Sequence, residues 1–180
     1  MERIKKNSGL LISLFIVVML AITSCEKKVD IELEKFSPKF GRFSVMAPGA
    51  FVRSTQNIET DVGSVVMITF MINKPNVVYI ASYIDYPSGV LQSSDPDDML
   101  ANGRNEMLKK IDGKLISEER IAYDKDPGVE IRYTLKGGTG LGHTMILLSG
   151  NRLYQVGGLG AKSSFPAESV KQYIDSFEVW

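Results

Sequence analysis

The chain has 180 residues, 44% of them hydrophobic, and balances 21 basic against 21 acidic residues. No block of lysine or arginine breaks that balance, which argues against a nucleic-acid-binding surface. With one cysteine and one histidine, the composition also excludes a disulfide scaffold and an ordinary zinc centre.

The first segment is basic, then apolar, then small. Arg3, Lys5 and Lys6 precede a run from Leu10 to Ile22 that only Ser13 interrupts, and Thr23-Ser24 leads into Cys25. Such an order predicts a secretory leader over residues 1–24, with an apolar run too short for a confident spanning helix. Ile22-Thr23-Ser24-Cys25 resembles the lipobox of bacterial lipoproteins. That resemblance implies that Cys25 becomes the first mature residue and carries a diacylglyceryl group on its sulfur. Two or three acyl chains hold a protein to a bilayer stably, at about 0.8 kcal/mol per buried methylene. The expected location is therefore the bacterial cell envelope, membrane-anchored. Glu26 stands where an aspartate signals inner-membrane retention in some enteric bacteria, so the outer membrane is preferred.

Without the leader the chain keeps 18 basic and 20 acidic residues, too even for strong attraction to anionic headgroups. The remaining residues, about 156, make one domain that buries about 68% of its unfolded surface. Residues 25–37 read as the lipidated N-terminus and a tether, since charges alternate with single apolar residues from Glu26 to Ser37. The competing reading is an edge strand with Val29, Ile31 and Leu33 on one face.

From residue 38 to 180 a single domain is expected, beginning with strands. Phe43 and Val45 alternate with polar residues before a turn at Met46-Ala47-Pro48-Gly49. Val62 to Ile72 and Val77 to Ile84 are apolar on both parities, and Lys74-Pro75-Asn76 joins them as a hairpin. Such strands lie at the centre of a sheet covered on both faces. A helix follows, with Asp95 as N-cap, Pro96 at its first position, Asp97 and Asp98 in the first turn and Gly113 as the stop. Its stripe is Leu100, Met107, Leu108 and Ile111. More strands come next. Val129, Ile131, Tyr133 and Leu135 alternate with charged residues, Thr144 to Leu148 is apolar throughout, and Arg152 to Val156 follows a short hairpin. A last helix begins near Pro166 and carries Val170, Tyr173, Ile174 and Phe177 at helical spacing. A sheet covered on both faces needs one helix on each side, which predicts an α+β, three-layer α/β/α sandwich with a mainly antiparallel central sheet.

Gly113 to Glu119 leaving the first helix, Pro127-Gly128-Val129-Glu130-Ile131 opening a strand, Asn151 to Val156, and the closing Ile174-Asp175-Ser176-Phe177 together are similar to Mog1/PsbP-like domains of envelope lipoproteins. The likeness spans roughly residues 38–180 and implies the same sandwich. The better-known members bind and stabilise other proteins, so it also implies an accessory role. No partner surface or metal position of that family maps onto a motif here.

The chemistry visible in the sequence is thin. His143 reads as a polar residue opening a strand. Asp95, Asp97 and Asp98 read as helix-start residues, and their spacing lacks the glycine and closing glutamate of a calcium loop. Asp124 to Gly128 reads as a tight turn. Glu118 and Glu119, being adjacent on a strand, point to opposite faces. Gly137 to Gly142 reads as a hairpin loop, and Gly157 to Gly160 as a place of close backbone approach; neither matches a dinucleotide or phosphate-loop pattern. Tyr79, Tyr83 and Tyr86 are a candidate recognition surface, although strand tyrosines beneath a helix are also ordinary core.

The expectation is thus a non-catalytic, lipid-anchored envelope protein without a cofactor. It binds the membrane through Cys25 and, through its domain, another envelope protein. A carrier of a small hydrophobic ligand is the first alternative and predicts an apolar pocket. A hydrolase using carboxylates from separate strands is the second, and predicts two carboxyl groups converging with a raised pKa.

Overall fold

Residues 33–60, 63–87, 89 and 94–180 are described by a computed structural model. The leader, Cys25, most of the expected tether and the Val62 strand start lie outside them. Strands β1 (Glu34–Phe36), β2 (Phe43–Ala47), β3 (Val52–Thr60), β4 (Gly63–Lys74) and β5 (Val77–Asp85) precede helix α1 (Pro96–Lys110). Then come β6 (Lys114–Tyr123), β7 (Asp126–Thr134), β8 (Gly140–Ser149) and β9 (Arg152–Ala161), followed by α2 (Ala167–Asp175) and β10 (Glu178–Val179).

A seven-stranded sheet runs in the order β3-β4-β5-β9-β8-β7-β6, and a three-stranded sheet in the order β1-β2-β10. Every pairing is antiparallel. The large sheet is therefore two meanders, β3-β4-β5 and β6-β7-β8-β9, zipped along β5 and β9. In that seam Val78 lies opposite Leu159 and Asp85 opposite Arg152.

The two parities of the central strands feed two cores. Met99 and Leu100 of α1 bury Val129, Ile131, Tyr133, Ile146, Leu148 and Leu153 on one face. On the other face, Val170, Tyr173 and Ile174 of α2 join Phe43, Val45 and Ala47 of β2 over Phe70, Tyr79, Tyr83, Leu147, Tyr154 and Val156. The helices do lie on opposite faces, but the second outer layer is not α2 alone. A three-stranded sheet shares it, a layer that the sequence pattern did not predict. β10 closes that sheet by pairing Val179 with Phe43, so β2 is held between both ends of the domain.

The tether expected over residues 25–37 also ends sooner. Residues 34–36 form β1, because Phe36 has an aromatic surface to join: its ring lies 4.3 Å from Phe51 and 5.1 Å from Phe70. Helix α1 begins as its sequence dictates, the Asp95 carboxylate accepting the Asp97 N–H at 2.9 Å, with Pro96 next. The glycines of β9 let other elements approach. A Cβ on Gly158 would stand 2.8 Å from Val170 Cγ2 of α2, and one on Gly160 2.1 Å from the Asn76 carbonyl oxygen. Gly140 to Gly142, expected in a loop, belong instead to β8.

Candidate recognition corner

Arg152 and Asp85 meet at one end of the β5–β9 seam, directly opposite each other. Arg152 Nε donates to Asp85 Oδ1 and Nη2 to Oδ2, both at 2.6 Å, the fork geometry that only arginine offers a carboxylate. Nη1 turns the other way and donates to the Phe40 carbonyl at 2.9 Å and to the Gly41 carbonyl. The guanidinium lies 4.0 Å from the centre of the Tyr83 ring, and Arg152 is only 5% exposed. Its hydrogen bond and charge hold the Asp85 carboxyl below its ordinary value. Tyr154 adds a hydroxyl bond to Gly41 O at 3.1 Å.

The consequence appears at the surface. A tight turn, closed by Gly41 N–H to Pro38 O at 2.8 Å, has its carbonyls drawn inward to Arg152 while its side chains stay outside. Phe40 is 73% exposed, with Lys39 Nζ 5.4 Å from its ring centre. Arg42 takes a left-handed backbone, φ 54°, and reaches Asp85 Oδ1 at 3.1 Å. The Arg42 carbonyl accepts the Trp180 N–H at 3.4 Å, and Trp180 is 66% exposed. Phe40 in the turn and Trp180, whose backbone is bonded to Arg42, are thus both exposed beside a base fixed by buried hydrogen bonds. Such a combination of aromatic and arginine side chains suits the centre of a protein–protein contact.

Sequence reasoning missed this corner. Its one legible signal was Phe40 itself, a large aromatic in a Pro38–Gly41 turn that does not need one. Of the three tyrosines considered, Tyr79 and Tyr83 are buried, 2% and 5% exposed. Tyr86 is half-buried and packs against the core on the α1 side. They form no common surface, because the small sheet and α2 cover the face that Tyr79 and Tyr83 share. Tyr79 instead packs edge-on against Tyr173, 5.1 Å between ring centres.

The remaining candidates have structural partners. His143 is buried and its Nε2 lies 2.6 Å from Glu130 Oε1. Glu118 reaches Arg104 of α1, whereas Glu119 lies opposite Glu130 in the β6–β7 ladder, so the adjacent glutamates do part to opposite faces. Asp97 pairs with Arg120 through two bonds, and Asp124 turns the chain at φ 55°. Where surroundings shift a carboxylate among the described residues, the direction is downward: Arg152 acts on Asp85, Arg120 on Asp97 and Lys35 on Glu178. Among the described residues no group of three or more His, Cys, Asp or Glu side chains is placed to hold a metal ion. A cleft of about 90 Å³ opens between α1 and the sheet, lined by Ile80, Met107, Ile111, Tyr133, Gln155 and Leu159. Ligand pockets for drug-sized molecules run to roughly 300–1,000 Å³.

No protein-family profile matches the chain, and no curated protein sequence matches it. Among solved structures, the solution structure of the cyanobacterial PsbP protein (CyanoP) of Synechocystis matches with a TM-score of 0.57 at 14% identity. The alignment covers 88% of this chain and 99% of the cyanobacterial one. At that identity the likeness speaks for the fold, and the chain has a PsbP-like fold.

Proposed function

We propose that this chain is a non-catalytic accessory protein of the bacterial envelope, anchored by lipid on Cys25, whose body docks another protein through the Phe40–Trp180 corner. The observation that carries the reading is the exposure of those two aromatics on a rigid base. Burying both in a partner's pocket would remove apolar area from water at about 25 cal/mol per Å², with little ordering cost in a turn already held by Arg152. The direction of the chain supports the same reading. It enters the small sheet at Glu34, opposite Ala47, whereas the corner sits at the Phe43 end of β2. The corner and the point where the chain enters the small sheet thus lie at opposite ends of β2.

The alternatives draw less support. Among the described residues, the cleft beneath α1 is small for a hydrophobic carrier, and a hydrolase needs at least one raised carboxyl where the shifted ones are lowered. The test is a photo-crosslinking amino acid at position 180 in otherwise native cells, with Phe40→Ala introduced in the same chain. One dominant adduct that Phe40→Ala reduces at least about fivefold is the expected result. Diffuse labelling that ignores Phe40→Ala would sink the corner. Separately, Cys25→Ser should move the protein from the membrane pellet to the soluble fraction, and its staying in the pellet would sink the anchor.

A further inference from the structure

The large sheet ends in two strands of opposite character. Among the described strands β6 has only β7 beside it and β3 only β4, so each presents a row of backbone donors and acceptors that can template another strand. β6 is protected. It bulges between Leu115 and Ser117, and Glu118 and Arg120 tie it to α1. Pairing β6 with a second β6 about its midpoint would set Glu118 opposite Glu119 twice, massing four carboxylates at the axis.

β3 has none of these devices. Its nine residues, Val-Arg-Ser-Thr-Gln-Asn-Ile-Glu-Thr, pair with β4 without a bulge, and seven of them are exposed. Val52, 63% exposed, adds an apolar contact at one end. The strand carries only two charges, Arg53 and Glu59, each three residues from its midpoint at Gln56. Among the described residues neither belongs to an ion pair.

We infer that β3 pairs antiparallel with β3 of a second copy of this chain, about a two-fold axis through Gln56, to give one sheet across both subunits. In that register all nine residues overlap, and Arg53 of each copy stands directly opposite Glu59 of the other. Opposed side chains in such a ladder sit roughly 4.5–5.5 Å apart at Cβ, within reach of an ion pair. A two-fold contact makes every pair twice, so the one match supplies two symmetric ion pairs. Thr55 falls opposite Asn57, Ser54 opposite Ile58, and Val52 opposite Thr60. No like charges meet. The pairing adds a strand to an exposed edge, with backbone bonds for affinity and charge for register.

Sedimentation equilibrium of the full chain in density-matched detergent tests it. The wild-type chain should reach a monomer–dimer equilibrium. Arg53→Glu or Glu59→Arg alone should weaken the dimer at least about tenfold by opposing like charges twice, and the double swap should restore it to within about threefold. Single cysteines at positions 54, 56 and 58, in the full chain, fix the register, with the wild-type chain as control for Cys25. Only Gln56→Cys should crosslink to itself on oxidation, since residue 54 would sit roughly 13 Å along the ladder from its own copy. A chain that stays monomeric, a dimer indifferent to the charge reversals, or crosslinking equal at all three positions would each overturn the inference.

Discussion

Arg152 and Asp85 share one bidentate bond, but its two ends are not equivalent. The guanidinium is buried, whereas the Asp85 side chain is 46% exposed. Asp85→Ala strands a buried cation, a defect that costs about 3–5 kcal/mol. Arg152→Met leaves a carboxylate that water can reach and the Phe40 carbonyl without its arginine donor, while Gly41 keeps the Tyr154 hydroxyl, costing about 1–3 kcal/mol. Chemical denaturation of both variants and the double should therefore rank Asp85→Ala as the worse single change, with the double well short of additive. The pH dependence follows from the same bond. Arg152 lowers the folded pKa of Asp85 from its ordinary 3.8. A depressed carboxylate stabilises the fold above its unfolded pKa, and that contribution disappears as pH falls through the folded value. Solvent screening at this half-exposed group keeps the effect small. The stability gap between wild type and Asp85→Ala should be flat above about pH 5 and narrow below the ordinary value. At Tyr173 the expectation reverses. Its buried hydroxyl finds no hydrogen-bond partner among the described residues, and burial pushes its pKa far up. Tyr173→Phe removes a desolvated donor at no loss of bonding, so its melting temperature should stay equal or rise; a clear fall would reveal an unseen partner.

Helix α2 depends on a missing side chain in the strand beneath it. Gly158→Ala puts a methyl 2.8 Å from Val170 Cγ2, an overpacking that costs about 1–3 kcal/mol. The cost should shrink when Val170→Ala makes room, and a thermal double-mutant cycle reads that coupling directly. The close approach was foreseeable from Gly157-Gly158-Leu159-Gly160; the element that approaches was not. Similar limits explain what else the sequence revealed. β4 and β5 were legible because both parities are apolar, and α1 because Asp95, Pro96 and Gly113 mark its ends. β3 was invisible because, at an edge with most side chains in water, Val52 to Thr60 needs no apolar alternation. β1 and β10 are too short, three and two residues, to show a period. The recognition corner was hidden for another reason. Arg152 and Asp85 lie 67 residues apart and meet only through the β5–β9 pairing, and composition does not report that Phe40 and Trp180 stay exposed. Tyr79 and Tyr83 share one face, and nothing in the pattern revealed the small sheet above it.

The two cores divide the molecule unequally. Phe70, Tyr79 and Tyr83 of the first meander meet Met145, Leu147, Tyr154 and Val156 of the second in the core beneath α2 and the small sheet. Among the described residues, the core beneath α1 draws the buried members of its cluster from α1 and the second meander alone. Losing the first core therefore releases β3 to β5 and the small sheet, whereas the second can persist with α1, β7, β8 and β9 still packed. Phe43 is the residue on which the first core turns. It is fully buried, and its ring lies within 6.5 Å of Phe36, Phe70, Tyr83, Tyr154 and Phe177, drawing on β1, β4, β5, β9 and the segment before β10. Phe43→Ala should cost about 3–5 kcal/mol in that core. Native-state hydrogen exchange locates the loss. Amides of Phe70 to Tyr83 should open more easily by nearly that full amount, and those around Ile131 and Ile146 by the same amount, because they exchange only when the whole domain unfolds and the first core is lost as well. Leu100→Ala, in the other core, should lower the opening free energy around Ile131 and Ile146 and leave that of Phe70 to Tyr83 nearly unchanged, because its contacts survive the partial opening. Equal losses everywhere for both variants would mean that the seam transmits every perturbation and that the sheet opens as one unit.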